Sequence, residues 1–447
     1  MRRFSWAMVP LLAAACVPNP PLETTTGTGS GSGSGGGDCV TLVKGEDTSV
    51  PTPGLPRPAL NVPYTDEHYH LTVTRVTEAS QVKDGDLPTR VRHEYSRRPA
   101  FNVDSTLALE DSSNGWFRLY QVNANGTFEF LKTLSLNDND EPNWDATDPD
   151  KLYFFESNGS GLTISTYDVA NNQKSVSRDL GARVKALFPN ATGMWTKGEG
   201  RPSDDGKIWC VEVGHTVQPE NTFVADGLVS YNMATDTILG HMSVTETPDH
   251  ISTSPKGDYC VPSWGLPLGT RAYKTDFSSY TQLQDRTEHS DLALTKAGEE
   301  VYVYSAYDGK NAGFVTMVRL SDGVTTQLFE LYGENHATVS MHISGTARNK
   351  PGYVVVSLES CTEDDGAIAC DPRKRWFNEK IVAVELEPNP RIYNLAHSHA
   401  GIAGDFGAAM AVANPDLTRV LFASTWGSTD DKNAHDYLIQ VPACALP

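Results

Sequence analysis

The chain has 447 residues and carries 56 acidic against 36 basic side chains, a formal net charge of −20. That surplus disfavours sequence-independent binding to nucleic acid, which needs a basic surface, and adhesion to anionic lipid. At this length several domains are expected, unless one architecture adds its own layer again and again.

The chain opens Met1-Arg2-Arg3, runs through apolar residues 4–15 and reaches Cys16. A basic start, a short apolar core and small residues before the break make residues 1–15 a secretory signal. The run is too short for a bilayer, which takes about 20 apolar residues. Ala13-Ala14-Ala15-Cys16 resembles the bacterial lipobox, in which the cysteine is lipidated and becomes the new N-terminus. Leucine is usual where Ala13 stands, and an ordinary signal peptide cut at another small residue is the alternative. Residues 24–37 read TTTGTGSGSGSGGG and bury no apolar surface, so they form a coil reaching on the order of 20 Å. Residues 16–60 are therefore the lipidated cysteine with a Gly/Ser/Thr- and Pro-rich tether, and residues 61–447 the folded body. The lipoprotein resemblance implies outer-membrane sorting from Val17. The expected place is the bacterial cell envelope, extracytoplasmic, with membrane contact through the lipid anchor only.

Residues 69–77, YHLTVTRVT, alternate polar and apolar as a half-buried strand does. After them a pattern recurs about every 40–60 residues. Each copy has an approach, an inner strand, a tight turn and an apolar strand. The copies begin at Arg98 (RPAFNVDSTLALE), Glu141, Gly200, Asp249 (DHISTSPKGDYCVPSW), Glu288, Met341 and Gly407 (GAAMAVANPDLTRVLFAS), and most are followed by a second strand pair. Seven units of four antiparallel strands predict an all-β, seven-bladed β-propeller. The last copy lacks its outer strand, so residues 69–77 are expected to complete it and close the ring, which removes an open sheet edge. A strand added to blade one is the alternative. Asn125-Gly126, Asp205-Gly206 and Ser321-Asp322-Gly323 supply the positive-φ positions of the hairpins. Trp195, Trp209, Trp264 and Trp426 are expected to pack between blades.

Six cysteines follow Cys16, an even number that in an exported chain points to disulfides. Cys361 and Cys370 flank a short polar stretch, Cys39 and Cys444 lie near the two ends, and Cys210 and Cys260 hold similar positions on adjacent blades. The first two pairs are candidate bridges.

The strand leading each repeat lines the channel, so its first residue sits at the channel mouth. That position gives Asp249-His250, Glu288-His289 and Met341-His342, and His397-Ser398-His399 precedes blade seven. The chain has 12 histidines, and this clustering points to a metal centre, since imidazole is the commonest transition-metal ligand. For His250 and His289 a hydrogen bond to the next blade is the competing role. His93, Arg97-Arg98 and Arg201 precede blades one and three.

The repeats resemble the TolB-type and oligogalacturonate-lyase-like propellers. The segment AHSHAGI…MAVANPDLTRVLFASTW is similar to the lyase family's His-x-His segment, inner strand, Pro-Asp turn and following strand. In that family the paired histidines, a further histidine and a glutamine hold a divalent metal. The resemblance implies His397 and His399 as the pair, Asn394 in the glutamine's place and His342 as the additional ligand, for Mn, Ca or Zn. The chain departs from the pattern in lacking the adjacent prolines and in carrying extra residues, 401–406 among them. For a lyase, β-elimination from a uronate needs a neutralised carboxylate and a base. Arg98 and Arg201 are the guanidinium candidates and His93 the base candidate. Three functions fit: a tethered module binding a glycan, peptide or metal at the His-lined channel mouth; a metal-dependent polysaccharide lyase; and a non-catalytic envelope scaffold with protein partners. The first is preferred.

Overall fold

Runs of β-branched and aromatic residues set the elements. In one central strand, Glu300–Ala306, every side chain is buried, because neighbouring blades cover both of its faces. The computed structural model describes residues 39–47, 54–331, 340–359, 378–400 and 407–447. The signal segment, Cys16, most of the tether and the Cys361–Cys370 pair lie outside the described residues.

Among the described residues, five four-stranded antiparallel sheets and one larger sheet that joins blades seven and one give seven blades in chain order, as the repeats predict. Blade one is Leu107–Ser112, Trp116–Val122 and Phe128–Asn137, with Phe101 bridging Ala108 at the inner position. The inner strands of the next blades are Asn143–Trp144, Gly193–Trp195, His250–Thr253, Ser290–Leu294, Met341–Ser344 and, in blade seven, Val412–Ala413. A short helix, Gly181–Leu187, connects blades two and three. Gly126 and Gly206 take φ of 82° and 71°, the left-handed conformation that their turns require.

The ring closes at the N-terminal strand. Thr72–Arg75 pairs antiparallel with His435–Gln440, as the outer strand of blade seven. The strand is shorter than the alternating segment, and Pro63–Thr65 adds a further strand outside it. Val91–Arg92 pairs with His435 on one side and with Leu107–Ser112 on the other, so blades seven and one share hydrogen bonds. Cys39 and Cys444 are bonded, Cα atoms 6.0 Å apart. Cys210 and Cys260 are also bonded and join the second strands of blades three and four, Cα atoms 5.5 Å apart.

The core lies between blades. Val301 and Val303 of blade five meet Met341, Ile343, Val354 and Val356 of blade six, all buried. Each such side chain contributes roughly 1.5–3 kcal/mol on leaving water. Trp209 packs between blades two and three, and Trp264 between three and four.

Arginines fill the channel. Arg201 Nη1 donates to both carboxylate oxygens of Asp291 at 2.8 Å, which ties the approach of blade three to blade five. Arg98 donates to the Gly200 and Pro142 carbonyls at 3.1 and 3.0 Å and to Glu94 at 3.2 Å. His93 has both ring nitrogens committed, Nδ1 to Asp436 at 2.9 Å and Nε2 to the Met410 carbonyl at 2.5 Å. These three candidates for catalysis thus act as structural posts, bonded to carboxylates and backbone carbonyls around the channel. Asp140 and Glu141 are buried, and Glu141 accepts from the Thr196 amide and hydroxyl.

Candidate metal and ligand site

The candidate histidines fall into two centres. His342 lies on the inner strand of blade six and faces Ser357 on the second strand. Ser357 pairs with Ile381 on the third, and the adjacent Lys380 pairs with His397 on the fourth. Three strand spacings separate His342 from His397, on the order of 14 Å. One ion cannot touch both, so the expected set of His342, His397, His399 and Asn394 is divided. Asn394 is held by its amide nitrogen, while its Oδ1 is buried without a partner. Its amide nitrogen donates to the carbonyls of Gly45 at 3.0 Å and Val43 at 3.3 Å, clamping the N-terminal segment along blade six.

The rim centre lies between the outer strands of blades six and seven. Asp66 occupies the turn joining the two N-terminal strands, where its Oδ1 accepts from the amides of His68 at 2.9 Å and Tyr69 at 2.8 Å. This leaves Oδ2 facing His397 Nδ1 at 3.4 Å. Burial works to raise the Asp66 pKa, but His397 and the two amides prevail and hold it below the usual carboxylate range. Because a carboxylate only accepts, His397 donates from Nδ1 and presents the lone pair of Nε2.

His397 Nε2 and His399 Nε2 are both buried without a hydrogen-bond partner. The two rings are 6.1 Å apart by centroid. His399 stacks on Trp426 at 4.0 Å, and burial, followed by the charge of His397, pushes its pKa down to about 4. It is a neutral lone-pair donor near neutral pH. Two imidazole nitrogens, one oriented by a carboxylate, are a donor set that fits a divalent transition metal. A cleft of about 590 Å³ opens beside them, lined among others by Leu55, Val62, Tyr64, Asp66, His397 and Trp426. The Tyr64 hydroxyl is likewise buried without a partner.

The axial centre lies at the channel mouth. His289 and His342 touch edge to face, centroids 4.3 Å apart, with Tyr95 against His342 at 5.5 Å. Burial, and then the neighbouring His342, push the His289 pKa down to about 3. His250 stands near Asp249 and Glu199, and the imidazole beside it holds the Asp249 carboxyl down at about 2. Arg97 is 2% exposed and donates from Nη1 to Glu199 at 3.1 Å and to His250 Nε2 at 2.6 Å.

Sequence reasoning missed Asp66, Tyr64, Tyr95 and Glu199. Asp66 sits just ahead of the closing strand, outside the repeats. Glu199 precedes Gly200 in the approach to blade three, as Asp249 leads the approach to blade four, and that equivalence was the available signal.

No family model matches the chain. Among solved structures, an oligogalacturonate lyase in complex with manganese superposes with a TM-score of 0.56 at 14% identity, covering 86% of this chain and 97% of that one. The oligogalacturonate lyase of Vibrio parahaemolyticus gives 0.54 at 13% identity, covering 85% and 96%. The fold resembles that of the oligogalacturonate lyases. At these identities the likeness concerns the fold. Among curated proteins, the tRNA(Met) cytidine acetyltransferase TmcA of Haloarcula marismortui is 27% identical over 177 residues, 39% of this chain. The match spans 20% of that enzyme's length.

Proposed function

We propose that this chain is a lipid-tethered, extracytoplasmic propeller that holds a divalent cation on His397 and His399 and uses it to bind a carboxylate-bearing glycan in the rim cleft. One observation carries this reading: His397, its Nε2 buried without a partner, lines a cleft of about 590 Å³, and the ring of His399, whose Nε2 is likewise unpartnered, lies 6.1 Å from it by centroid. The ligand site thereby moves from the channel mouth to the rim. The lyase fold of the neighbours supports an acidic glycan, and the manganese in one of them supports the cation.

Charge supports it too. A protein of net charge −20 repels a polyuronate, so a bridging cation is the economical way to hold one. When bound, the cation would supply a Lewis-acid contact to the ligand carboxylate. Imidazole ligands favour Mn²⁺ or Zn²⁺ over Ca²⁺, which takes oxygens. Asp66 orients His397, and the apolar walls at Leu55 and Val62 exclude water. The signal-like start, Cys16 and the tether support anchorage at the envelope. Retention of the purified protein on immobilised polygalacturonate tests the reading. Binding should require Mn²⁺ or Zn²⁺, reverse with chelator and vanish in His397→Ala.

Turnover as a polysaccharide lyase is a second reading, favoured by the Tyr64 hydroxyl, which shares the cleft with His397 without a partner of its own. Ultraviolet absorbance of unsaturated uronate products would report it, and Tyr64→Phe should abolish that signal while leaving retention intact.

A further inference from the structure

The proposed function leaves the axial centre unused, yet that centre has the makings of a site. Glu199, Asp249 and His250 each bring one ligand atom within 4.8 Å of the others. His250 is 2% exposed, and its Nδ1 is buried without a hydrogen-bond partner. That nitrogen lies 3.5 Å from Asp249 Oδ2 and 3.6 Å from Glu199 Oε2. These are ion-pair separations, longer than the usual hydrogen bond. They match the separation of two ligands that share an ion: at metal–ligand distances near 2.1 Å, tetrahedral neighbours stand about 3.4 Å apart. A buried ring nitrogen without a hydrogen-bond partner is costly, and a bound ion would offset that cost.

We infer that Glu199, Asp249 and His250 form a second divalent-cation site, at the axial mouth and separate from the rim pair. One imidazole with two carboxylates is a mixed donor set. It suits a borderline ion such as Mn²⁺ or Zn²⁺ better than Ca²⁺, which prefers oxygens throughout, or Cu⁺, which prefers sulfur. Arg97 pairs with Glu199 and Lys197 acts on Asp249, so a bound cation would share these two carboxylates with two resident positive charges. Arg97 must give way in one respect. A guanidinium only donates, so His250 Nε2 accepts from it and Nδ1 carries the ring proton. A cation at Nδ1 displaces that proton, and Nε2 must then bear one itself. Arg97 withdraws from Nε2 and keeps Ser252 Oγ at 3.1 Å and Asp291 at 3.8 Å. The site joins the approach of blade three to the inner strand of blade four, on the far side of three strand spacings from the rim.

The test is a Co²⁺ titration of the purified full-length protein, followed by calorimetry and by visible absorption, which reports the coordination of each ion. Two equivalents should bind. His250→Gln should lose one of them, with affinity there falling about tenfold or more, and should keep the rim ion. His397→Ala should lose the other and keep the axial ion. Asp249→Asn, at a half-exposed position, serves as the second axial variant should His250→Gln fail to fold. Folded axial variants that bind Co²⁺ like the wild type would overturn this inference and leave the rim reading standing. Loss confined to the axial variants would do the reverse.

Discussion

Asp66 Oδ2 lies 3.4 Å from His397 Nδ1, and this contact joins the N-terminal closing strands to the rim centre. Asp66 is itself fixed by two backbone amides, so the imidazole is held by a rigid carboxylate. Carboxylates placed in this way keep the tautomer and aim of a ligating histidine, and their loss costs about 10–100-fold in metal affinity. Asp66→Asn should therefore weaken Mn²⁺ or Zn²⁺ binding at the rim by that factor, with little change in melting temperature. Calorimetry on the folded variant checks it.

His93 and Asp436 form a pair with neither side chain exposed. Removing one partner leaves the other charge buried alone, which costs about 3–5 kcal/mol. His93→Leu should lower stability by that order in denaturant melts. Metal binding and glycan retention per folded molecule should stay unchanged, since His93 touches neither centre.

The covalent clasp Cys39–Cys444 spans 405 residues and ties the start of the described chain to its end. Long loops gain most from closure, typically about 2–4 kcal/mol. Cys39→Ser should lower the unfolding midpoint accordingly. Deleting residues 61–80 should cost more, because the outer strand of blade seven and Asp66 go together. Thermal melts of the two variants side by side read the difference.

Glu94 gives the pH dependence a sign. Burial is the main cause that moves its pKa from 4.5 up to about 7. The unfolded chain therefore releases this proton first as pH rises, so stability falls across the window from 4.5 to about 7 and levels off above it. The loss is on the order of 3 kcal/mol, the opposing effect of Arg98 being already contained in that shift. Glu94→Gln should remove this slope. Melts of both proteins across that window should diverge at the low end, where the wild type keeps its advantage. Parallel curves would contradict the assignment.

Much of the fold was legible because each blade repeats one hydrophobic period. Seven copies gave seven blades, the alternation of residues 69–77 gave the closing strand, and the terminal position of Cys39 and Cys444 gave their bridge. The sites were harder, because the repeat fixes where a residue falls along a blade but not how far it lies from the axis. His397 immediately precedes blade seven in sequence, yet it ends the outermost strand of blade six. The rim centre thus combined with a histidine three strands away only on paper. Arg98, Arg201 and His93 drew attention as charged residues at repeat starts. Their roles depend on which carbonyls and carboxylates other blades deliver, and no single-strand pattern encodes that. Asp66, outside every repeat, carried no periodic signal.

The most direct test is the metal content of the purified protein after loading with Mn²⁺ or Zn²⁺ and desalting, compared with His397→Ala and His399→Ala. Loss of one equivalent in each variant, together with loss of polygalacturonate retention, is the predicted result. Full metal content and unchanged retention in both folded variants would contradict the account.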